Sequence, residues 1–258
     1  MSKFAVPVVM GILNATPDSF FAESRRFSEE DVARRARQIM EEGGGIIDVG
    51  ACSTRPGSSP VSEAEEMARL RMALPVVRQV APDAVLSVDT FRPDVARMVA
   101  EEYGATIIND VGGGSDEMLR TVAQLKSTYV LMSSDATLDE MKVFFRQRLA
   151  VLDALGHQDV ILDPGYGFGK TVERNYAILA RQEELLSFGL PLLAGMSRKR
   201  MVYELLHTTP ETALAGTVAL NMVALQYGAG ILRVHDVRQA AETITIYKQL
   251  KKCLSASE

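Results

Sequence analysis

Short apolar runs rich in β-branched residues alternate with longer amphipathic segments along the whole chain. Most of these runs are continuously apolar, which is typical of strands buried on both faces of a sheet. Strand–helix alternation repeated eight times predicts an α/β protein built as a closed (β/α)8 TIM barrel, and a doubly wound open sheet is the alternative architecture. The eight predicted strands are Val8–Leu13, Gly45–Val49, Val85–Val88, Thr106–Ile108, Tyr129–Met132, Val160–Leu162, Leu192–Gly195 and Ile231–Val234.

The chain has 258 residues, and no shift in composition marks a linker. Since a barrel of this kind takes about 250 residues, we expect a single domain over residues 1–258. The candidate N-caps of its helices are Ser28, Ser62, Ser115, Thr137, Thr209 and Asp236. His157 and His207 have no evident partner in the sequence, so both are predicted to lie at the surface.

The composition excludes several classes of protein. A net charge of −5 argues against a general nucleic-acid binder. No apolar stretch approaches the roughly 20 residues that span a bilayer, and the N-terminal segment lacks the pattern of a signal peptide. The two cysteines, Cys52 and Cys253, are too few for a disulfide framework. We therefore expect a cytoplasmic protein with neither a nucleic acid nor a membrane as its partner.

Polar residues follow nearly every predicted strand at its C-terminal end. They include Asn14, Asp48, Asp89, Asn109, Asp110, Ser133, Asp163, Ser197, Lys199, Arg233, His235 and Asp236. In a barrel these strand ends converge on one face, where active sites lie. A lone Asp at a strand end can instead cap the next helix, and this alternative stays open for Asp110 and Asp236. Thr90 and Thr171 are further candidate caps, after Asp89 and Asp163.

Several cations follow these strands and would bring positive charge to one mouth. Arg55, Lys199 and Arg233 are the main candidates, with Arg198 or His235 as possible additions. Arginine binds phosphate oxygens in a bidentate manner, whereas lysine acts as a point charge. The set therefore favours a ligand that carries a phosphate or a diphosphate.

The neutral and acidic residues favour a flat heterocycle with bound Mg²⁺ nearby. Asn14 offers a neutral oxygen to a largely hydrated Mg²⁺ that bridges phosphate oxygens. Asp89, Asn109 and Asp163 would accept hydrogen bonds from ring N–H and amino groups. No serine stands in a nucleophile elbow. The residues alone predict a barrel enzyme for a diphosphate-bearing heterocycle.

The ordered motifs at these strand ends resemble those of the dihydropteroate synthase family. Each motif alone is weak, whereas the ordered set is specific and covers nearly the whole chain. The segments that carry the resemblance are Met10–Phe20, Ile46–Gly50, Ser53–Gly57, Ser87–Thr90, Ile108–Asp110, Leu162–Lys170, Gly195–Lys199 and Arg233–Asp236.

The resemblance implies a transferase of folate biosynthesis, a target of sulfonamides, that acts as a homodimer. It would condense 6-hydroxymethyl-7,8-dihydropterin diphosphate with 4-aminobenzoate, assisted by Mg²⁺, to give 7,8-dihydropteroate and diphosphate. The implied catalytic residues are Asp89, Asp163 and Lys199. The implied pterin contacts are Asp89, Asn109, Met132, Asp163 and Lys199. The implied diphosphate contacts are Asn14, Thr54, Arg55, Arg233 and His235, with Asn14 also binding the metal. The implied 4-aminobenzoate contacts are Thr54, Pro56, Phe168, Lys199 and Arg200.

Three segments depart from the family pattern. The first loop reads differently over Phe21–Arg25, the loop after the fifth strand lacks the usual histidine over Ser133–Thr137, and Arg200 replaces a serine. These departures motivate one alternative, a non-catalytic homologue that binds a pterin or a partner protein. The other alternative is a methyltetrahydrofolate methyltransferase, which should lack the phosphate-side features of Ser53–Gly57 and Ser197–Lys199 that this chain retains.

Overall fold

Eight parallel strands close into one barrel in sequence order in the computed structural model, which describes residues 7–16, 28–52 and 61–255. The first strand also pairs with the last, which closes the barrel. The strands are β1 (Val8–Asn14), β2 (Ile46–Gly50), β3 (Val85–Asp89), β4 (Ile107–Asp110), β5 (Thr128–Met132), β6 (Val160–Asp163), β7 (Leu192–Ala194) and β8 (Ala229–Val234). The predicted (β/α)8 barrel is confirmed, and every predicted strand is present with its ends shifted by two residues or fewer.

Helices cover the outside of the barrel and bury their apolar faces against the strands. They are α1 (Glu29–Glu41), α2 (Glu63–Val80), α3 (Pro93–Tyr103), α4 (Asp116–Leu125), α5 (Leu138–Ala154), α6 (Val172–Leu179), α7 (Arg200–Tyr203), α8 (Leu214–Gln226) and α9 (Val237–Ser255), with 3-10 turns at Gln182–Phe188 and Pro210–Thr212. None of the helices within the described residues is long and apolar enough to cross a membrane.

Most predicted helix caps are confirmed, because the side-chain oxygen accepts a backbone N–H three residues further on. The confirmed caps are Ser28, Ser62, Ser115, Thr137 and Thr171. Thr209 stands at the N-cap position of a 3-10 turn, as predicted, and its hydroxyl contacts the hydroxyl of Thr212. The prediction of Thr90 as a helix cap is wrong, because Arg92 is the N-cap of α3. The hydroxyl of Thr90 accepts the backbone N–H of Arg92. Asp236 instead directs its carboxylate to the guanidinium of Arg198.

The prediction for the histidines holds for one of the two. His207 is exposed as predicted. His157 is only 7% exposed. The chain turns back after α5, and the backbone N–H of His157 donates to the carbonyl oxygen of Leu152 in that helix. The surface prediction for His157 is therefore wrong.

The interior of the barrel changes from apolar to polar within two residues along four of its strands. One buried apolar layer consists of Met10, Ile46, Ile107, Val130, Ile161, Leu193 and Ile231. Because side chains alternate between the two faces of a strand, residues two positions further on also face the interior. Those positions hold Asp48, Asn109, Asp163 and Arg233 on four of the strands. The alternation thus places a polar layer directly above an apolar floor.

Candidate active site

An ion-paired network occupies this polar layer. The carboxylate of Asp48 accepts hydrogen bonds from Ser87 Oγ at 2.6 Å and from Asn109 Nδ2 at 3.1 Å. It also pairs with Arg233 Nε at 2.7 Å, while Arg233 Nη2 pairs with Asp89 Oδ2 at 2.7 Å. The network fixes five residues from β2, β3, β4 and β8 relative to one another.

Burial and ion pairing act in opposite directions on this network. Burial raises the pKa of Asp89 to about 7, and the positive charge of Arg233 opposes that shift. Burial alone would lower the pKa of Arg233, but Asp48 and Asp89 raise it above its usual value. Arginine stays charged at any working pH. Two carboxylates facing one guanidinium leave an excess of acceptors, which suits a ligand that donates N–H groups.

Asn109 presents an acceptor that lacks a donor. The residue is 1% exposed, and its Nδ2 is committed to Asp48. Its Oδ1 has no hydrogen-bond partner within the described part of the chain. A buried acceptor without a partner costs about 1–3 kcal/mol. A ligand that donates an N–H to this oxygen would recover that energy.

Asp163 and Lys199 form the opposite side of the site. Asp163 Oδ1 accepts the N–H of Gly165 at 2.7 Å, and burial raises the pKa of Asp163 against the opposing charge of Lys199. Lys199 Nζ donates to the carbonyl oxygen of Tyr166 at 2.5 Å. Burial lowers the pKa of Lys199 to about 8, and Asp163 opposes the shift. A cation with a perturbed pKa beside a buried carboxylate is typical of functional sites.

Phe168 lies beside this lysine on the loop after β6. Lys199 Nζ is 4.7 Å from the centroid of the Phe168 ring, which is a cation–π distance. The buried Lys170 holds the loop from below, because its Nζ contacts the carbonyl oxygens of Ser133, Gly165 and Phe168 at 3.2, 2.9 and 3.3 Å. Phe168 is thereby fixed as a wall next to Lys199.

Met132 is the last residue of β5, and its side chain is apolar. It is 1% exposed. A Cβ at Gly165 would meet the Met132 sulfur at 3.1 Å. Only glycine therefore lets the loop after β6 approach this strand so closely, and its φ of +61° favours glycine as well.

A cavity of about 310 Å³ opens at the other side of the mouth, between β1 and β8. Its lining residues are Ile12, Asn14, Arg35, Gln38, Arg198, His235 and Asp236. Arg35 of α1 ties the two strand ends together, since it donates to the carbonyl oxygens of Ile12 at 3.1 Å and His235 at 2.6 Å. Asn14 and His235, both predicted to contact a diphosphate, thus share one cavity.

The residues around Gly50 fit a hydrated Mg²⁺. A Cβ at Gly50 would lie 3.8 Å from Asn14 Oδ1 and 3.9 Å from Asp89 Oδ2, so the glycine leaves room between two oxygen donors. Mg²⁺ prefers oxygen ligands and is often held by one or two protein groups together with substrate phosphates. Within the described residues, no group of three or more His, Cys, Asp or Glu could hold a metal. The site therefore suits an ion that a phosphorylated ligand helps to bind.

The structure does not bring every predicted residue to the site. Thr54, Arg55 and Pro56 lie outside the described residues, as does the divergent segment Phe21–Arg25. The side chain of Arg200 is 66% exposed and pairs with Glu204 one turn further along the helix. The interpretation of Arg200 as a 4-aminobenzoate contact thus has no support from its position.

Several residues of the site carry no role in the sequence-based prediction. They are Arg35, Asp48, Ser87 and Lys170. Asp48 could have been found, because it stands two residues after an interior-facing isoleucine, as Asn109 and Asp163 do. Arg35 and Lys170 belong to a helix and a loop, and nothing in the sequence pattern indicates where their long side chains end.

The family model described as "Pterin binding enzyme" matches residues 10–235 of the chain. A dihydropteroate synthase from Escherichia coli is 38% identical over 270 residues, which cover 98% of this chain and 93% of that protein. The chain belongs to the dihydropteroate synthase family. It is a transferase of that family, with the fold that its motifs predict.

Solved structures of dihydropteroate synthases have the same barrel. The enzyme from Xanthomonas albilineans with 4-aminobenzoic acid is 37% identical, has a TM-score of 0.86, and matches 95% of this chain and 93% of that one. The enzyme from Yersinia pestis in a sulfonamide drug complex is 36% identical, has a TM-score of 0.88, and matches 98% of this chain and 100% of that one. The resemblance inferred from the ordered motifs is confirmed.

Proposed function

We propose that this chain condenses 6-hydroxymethyl-7,8-dihydropterin diphosphate with 4-aminobenzoate, giving 7,8-dihydropteroate and diphosphate in folate biosynthesis. The observation that carries the proposal is the acceptor cluster above the apolar floor of the barrel. Asn109 Oδ1 is buried there without a donor among residues 7–16, 28–52 and 61–255, and the carboxylates of Asp89 and Asp163 lie in the same polar layer. Such a cluster matches the N–H-rich edge of a pterin, and the chain belongs to a pterin-binding family.

The pterin would lie flat in this layer. Its 2-amino group and ring N–H groups would donate to Asp89, Asn109 and Asp163, since ionised carboxylates and amide oxygens are acceptors. The thioether of Met132 would pack against the ring. Lys199 would donate to acceptors on the opposite edge of the pterin. Its Nζ also donates to the backbone carbonyl oxygen of Tyr166.

The reaction would be a substitution at the exocyclic methylene of the pterin. The bond between the methylene carbon and the diphosphate oxygen breaks, and the diphosphate leaves with the electron pair. The carboxylates of Asp89 and Asp163 stabilise the cation that remains on the electron-rich ring. The amine of 4-aminobenzoate then forms the C–N bond and loses one proton to solvent.

The leaving diphosphate would be received at the mouth of the barrel by Asn14, Thr54, Arg55, Arg233 and His235. The guanidinium of Arg233 is already paired with Asp48 and Asp89. It would therefore add to the local positive potential while staying in its network. Mg²⁺, held by Asn14 and the diphosphate oxygens, would neutralise negative charge that develops on the leaving group.

The 4-aminobenzoate would lie against Phe168, with Lys199 beside it and with Thr54 and Pro56 as further contacts. The relative from Xanthomonas albilineans, whose structure includes 4-aminobenzoic acid, supports this second substrate. The relative from Yersinia pestis supports sulfonamides as competitors. Arg200 would reach the carboxylate of 4-aminobenzoate only by exchanging its present partner, Glu204.

We also propose that the enzyme is a homodimer in the cytoplasm. Helix α8 supports the dimer, since its sequence has no charged residue and its outward positions include Ala215, Val218 and Ala219. A helix that is apolar on all sides is expected to be covered.

The test of the reaction is a coupling assay with purified protein, Mg²⁺, dihydropterin diphosphate and labelled 4-aminobenzoate. We expect labelled dihydropteroate only when every component is present. Lys199→Ala and Asp163→Asn should each lower turnover at least a hundredfold while circular dichroism stays unchanged, whereas Lys248→Ala, at an exposed position of α9, should not affect turnover. Near-normal turnover in both site variants would remove these residues from the site.

The same assay separates the synthase from a non-catalytic homologue. The altered segment Ser133–Thr137 favours the homologue as a second candidate, because the hydroxyl of its first serine is committed to the carboxylate of Asp135. Absence of product, together with dihydropterin diphosphate binding by calorimetry, would establish that alternative.

A further inference from the structure

Ser197 lies against the ring of His235, on the segment that follows β7. Its Oγ is 3.1 Å from His235 Nδ1. The same oxygen accepts the backbone N–H of His235 at 3.2 Å. Ser197 is only 3% exposed. The hydroxyl therefore meets both the backbone and the ring of one histidine, away from bulk solvent.

The hydrogen-bond inventory of this hydroxyl determines which ring nitrogen carries hydrogen. A serine hydroxyl has one hydrogen and two lone pairs. The backbone N–H of His235 takes one lone pair, and no further hydrogen bond of Ser197 Oγ occurs within the described ranges 7–16, 28–52 and 61–255. The hydroxyl hydrogen is satisfied if it is donated to Nδ1. If Nδ1 itself carried hydrogen, the buried hydroxyl hydrogen would be left without an acceptor, which is costly.

We propose that Ser197 is a positioning residue that selects the neutral tautomer of His235 in which Nε2 carries the hydrogen. Its consequence for catalysis rests on the proposed function: His235 lines the cavity that also holds Asn14, and its Nε2–H donates to an oxygen of the departing diphosphate. The other tautomer would present a lone pair of Nε2 to an anion, which repels it.

Arg35 completes the orientation of the histidine. Its Nη2 donates to the carbonyl oxygen of His235 at 2.6 Å, while Ser197 accepts the N–H of the same residue. Both backbone polar groups of His235 are therefore held, and Nδ1 of the ring contacts Ser197 Oγ. A carboxylate in place of Ser197 would instead keep hydrogen on Nδ1 and favour the doubly protonated ring. A hydroxyl lets the neutral ring act as a donor at Nε2.

The direct test is ¹⁵N nuclear magnetic resonance of the ring nitrogens at a pH where the histidines are neutral. The chain has three histidines, so His157→Gln and His207→Gln assign the signals of His235. We expect the Nε2–H tautomer in the wild type and a clearly increased Nδ1–H population in Ser197→Ala. Ser133→Ala, which removes another buried serine hydroxyl, should leave the His235 signals unchanged.

The proposal fails if the wild type has hydrogen on Nδ1, or if Ser197→Ala has the same tautomer population as the wild type. Both readouts use the protein alone, so they do not depend on synthase activity. A wild type without synthase activity but with the expected tautomers would therefore refute the proposed function and leave the role of Ser197 intact.

Turnover variants test the catalytic consequence separately. The amide nitrogen of a glutamine reaches the position of Nε2, whereas that of an asparagine reaches the position of Nδ1. We expect His235→Gln to retain turnover within about tenfold, and His235→Asn to lose about a hundredfold, as for removal of one donor to a developing anion. Equal losses in the two variants would overturn the donor role of Nε2–H.

Discussion

The amide of Asn109 has its nitrogen committed to Asp48, and under the proposed function its oxygen would accept from the pterin. Its Nδ2 donates to Asp48, whose other oxygen accepts from Ser87, so the amide cannot turn without breaking a buried network. The remaining oxygen can only accept. This arrangement converts an ordinary asparagine into a fixed acceptor, and recognition of a donor edge follows from it.

We expect Asn109→Ala to weaken the binding of dihydropterin diphosphate about tenfold, since one buried hydrogen bond contributes about 0.5–1.5 kcal/mol. Isothermal titration calorimetry measures the change. The matched control is Thr121→Ala, because Thr121 Oγ1 is also buried and has no partner in the described part of the chain, but lies on α4, outside the barrel. Equal weakening in both variants would show that the loss comes from altered packing and not from recognition.

The ammonium of Lys199 gives the site a pH dependence. Burial lowers its pKa to about 8, so the charged form predominates below that pH and is lost as the pH rises through it. We expect kcat/KM to fall above about pH 8. In Lys199→Arg the guanidinium keeps its charge, so the residual activity should not decline over the same range. A decline that persists in the variant would assign it to another group.

The type and position of a residue in the sequence are enough to predict that some residues belong to the site. Asp89, Asn109 and Asp163 could be predicted because strand alternation determines which side chains face the interior. Arg233 could be placed in the barrel, but its pairing with two carboxylates depends on the distance across the barrel, which a linear pattern does not contain. The direction of the Arg200 side chain could not be predicted, because the sequence does not show that this residue pairs with Glu204.

At the scale of whole elements, the strands are predicted better than the loops. A strand buried on both faces needs a continuous apolar run, which is visible in the sequence. The loop after β6 depends on contacts between distant segments, such as Lys170 Nζ with the carbonyl oxygen of Ser133 on the neighbouring strand end. Its Gly-rich sequence indicates a turn but not the approach to Met132.

Two glycines of this loop allow contact and backbone strain to be separated. Gly165 and Gly169 have the same φ of +61°, but a Cβ at Gly165 would collide with the carbonyl oxygen of Ser133, whereas a Cβ at Gly169 would meet no atom of the described residues within 4 Å. Alanine costs about 1–2 kcal/mol in this backbone region at either position. We expect Gly165→Ala to lower the Tm more than Gly169→Ala and to weaken pterin binding as well. Equal effects on Tm and binding would mean that the close approach to Ser133 is not required.

At the scale of the whole molecule, the barrel separates stability from chemistry along its axis. The apolar layer and the outer helices bury the large hydrophobic residues. The polar layer above them holds carboxylates and cations in mutual contact, and burying such groups costs energy unless they are paired. The fold can carry this layer because every strand contributes to the floor beneath it. The outer helices can then form contacts between subunits without involving the residues of the active site.

The apolar outer surface of α8 gives the last prediction. A stable homodimer buries about 800 Å² from each subunit, and an uncharged helix can supply the centre of such an interface. We expect sedimentation velocity to show a dimer for the wild type and a monomer for Val218→Glu, because the interface would then bury an unpaired charge. Val143→Glu is the matched control, since Val143 is 50% exposed on α5 and its substitution should leave the dimer intact. A wild-type monomer, or dissociation by both substitutions, would contradict an interface through α8.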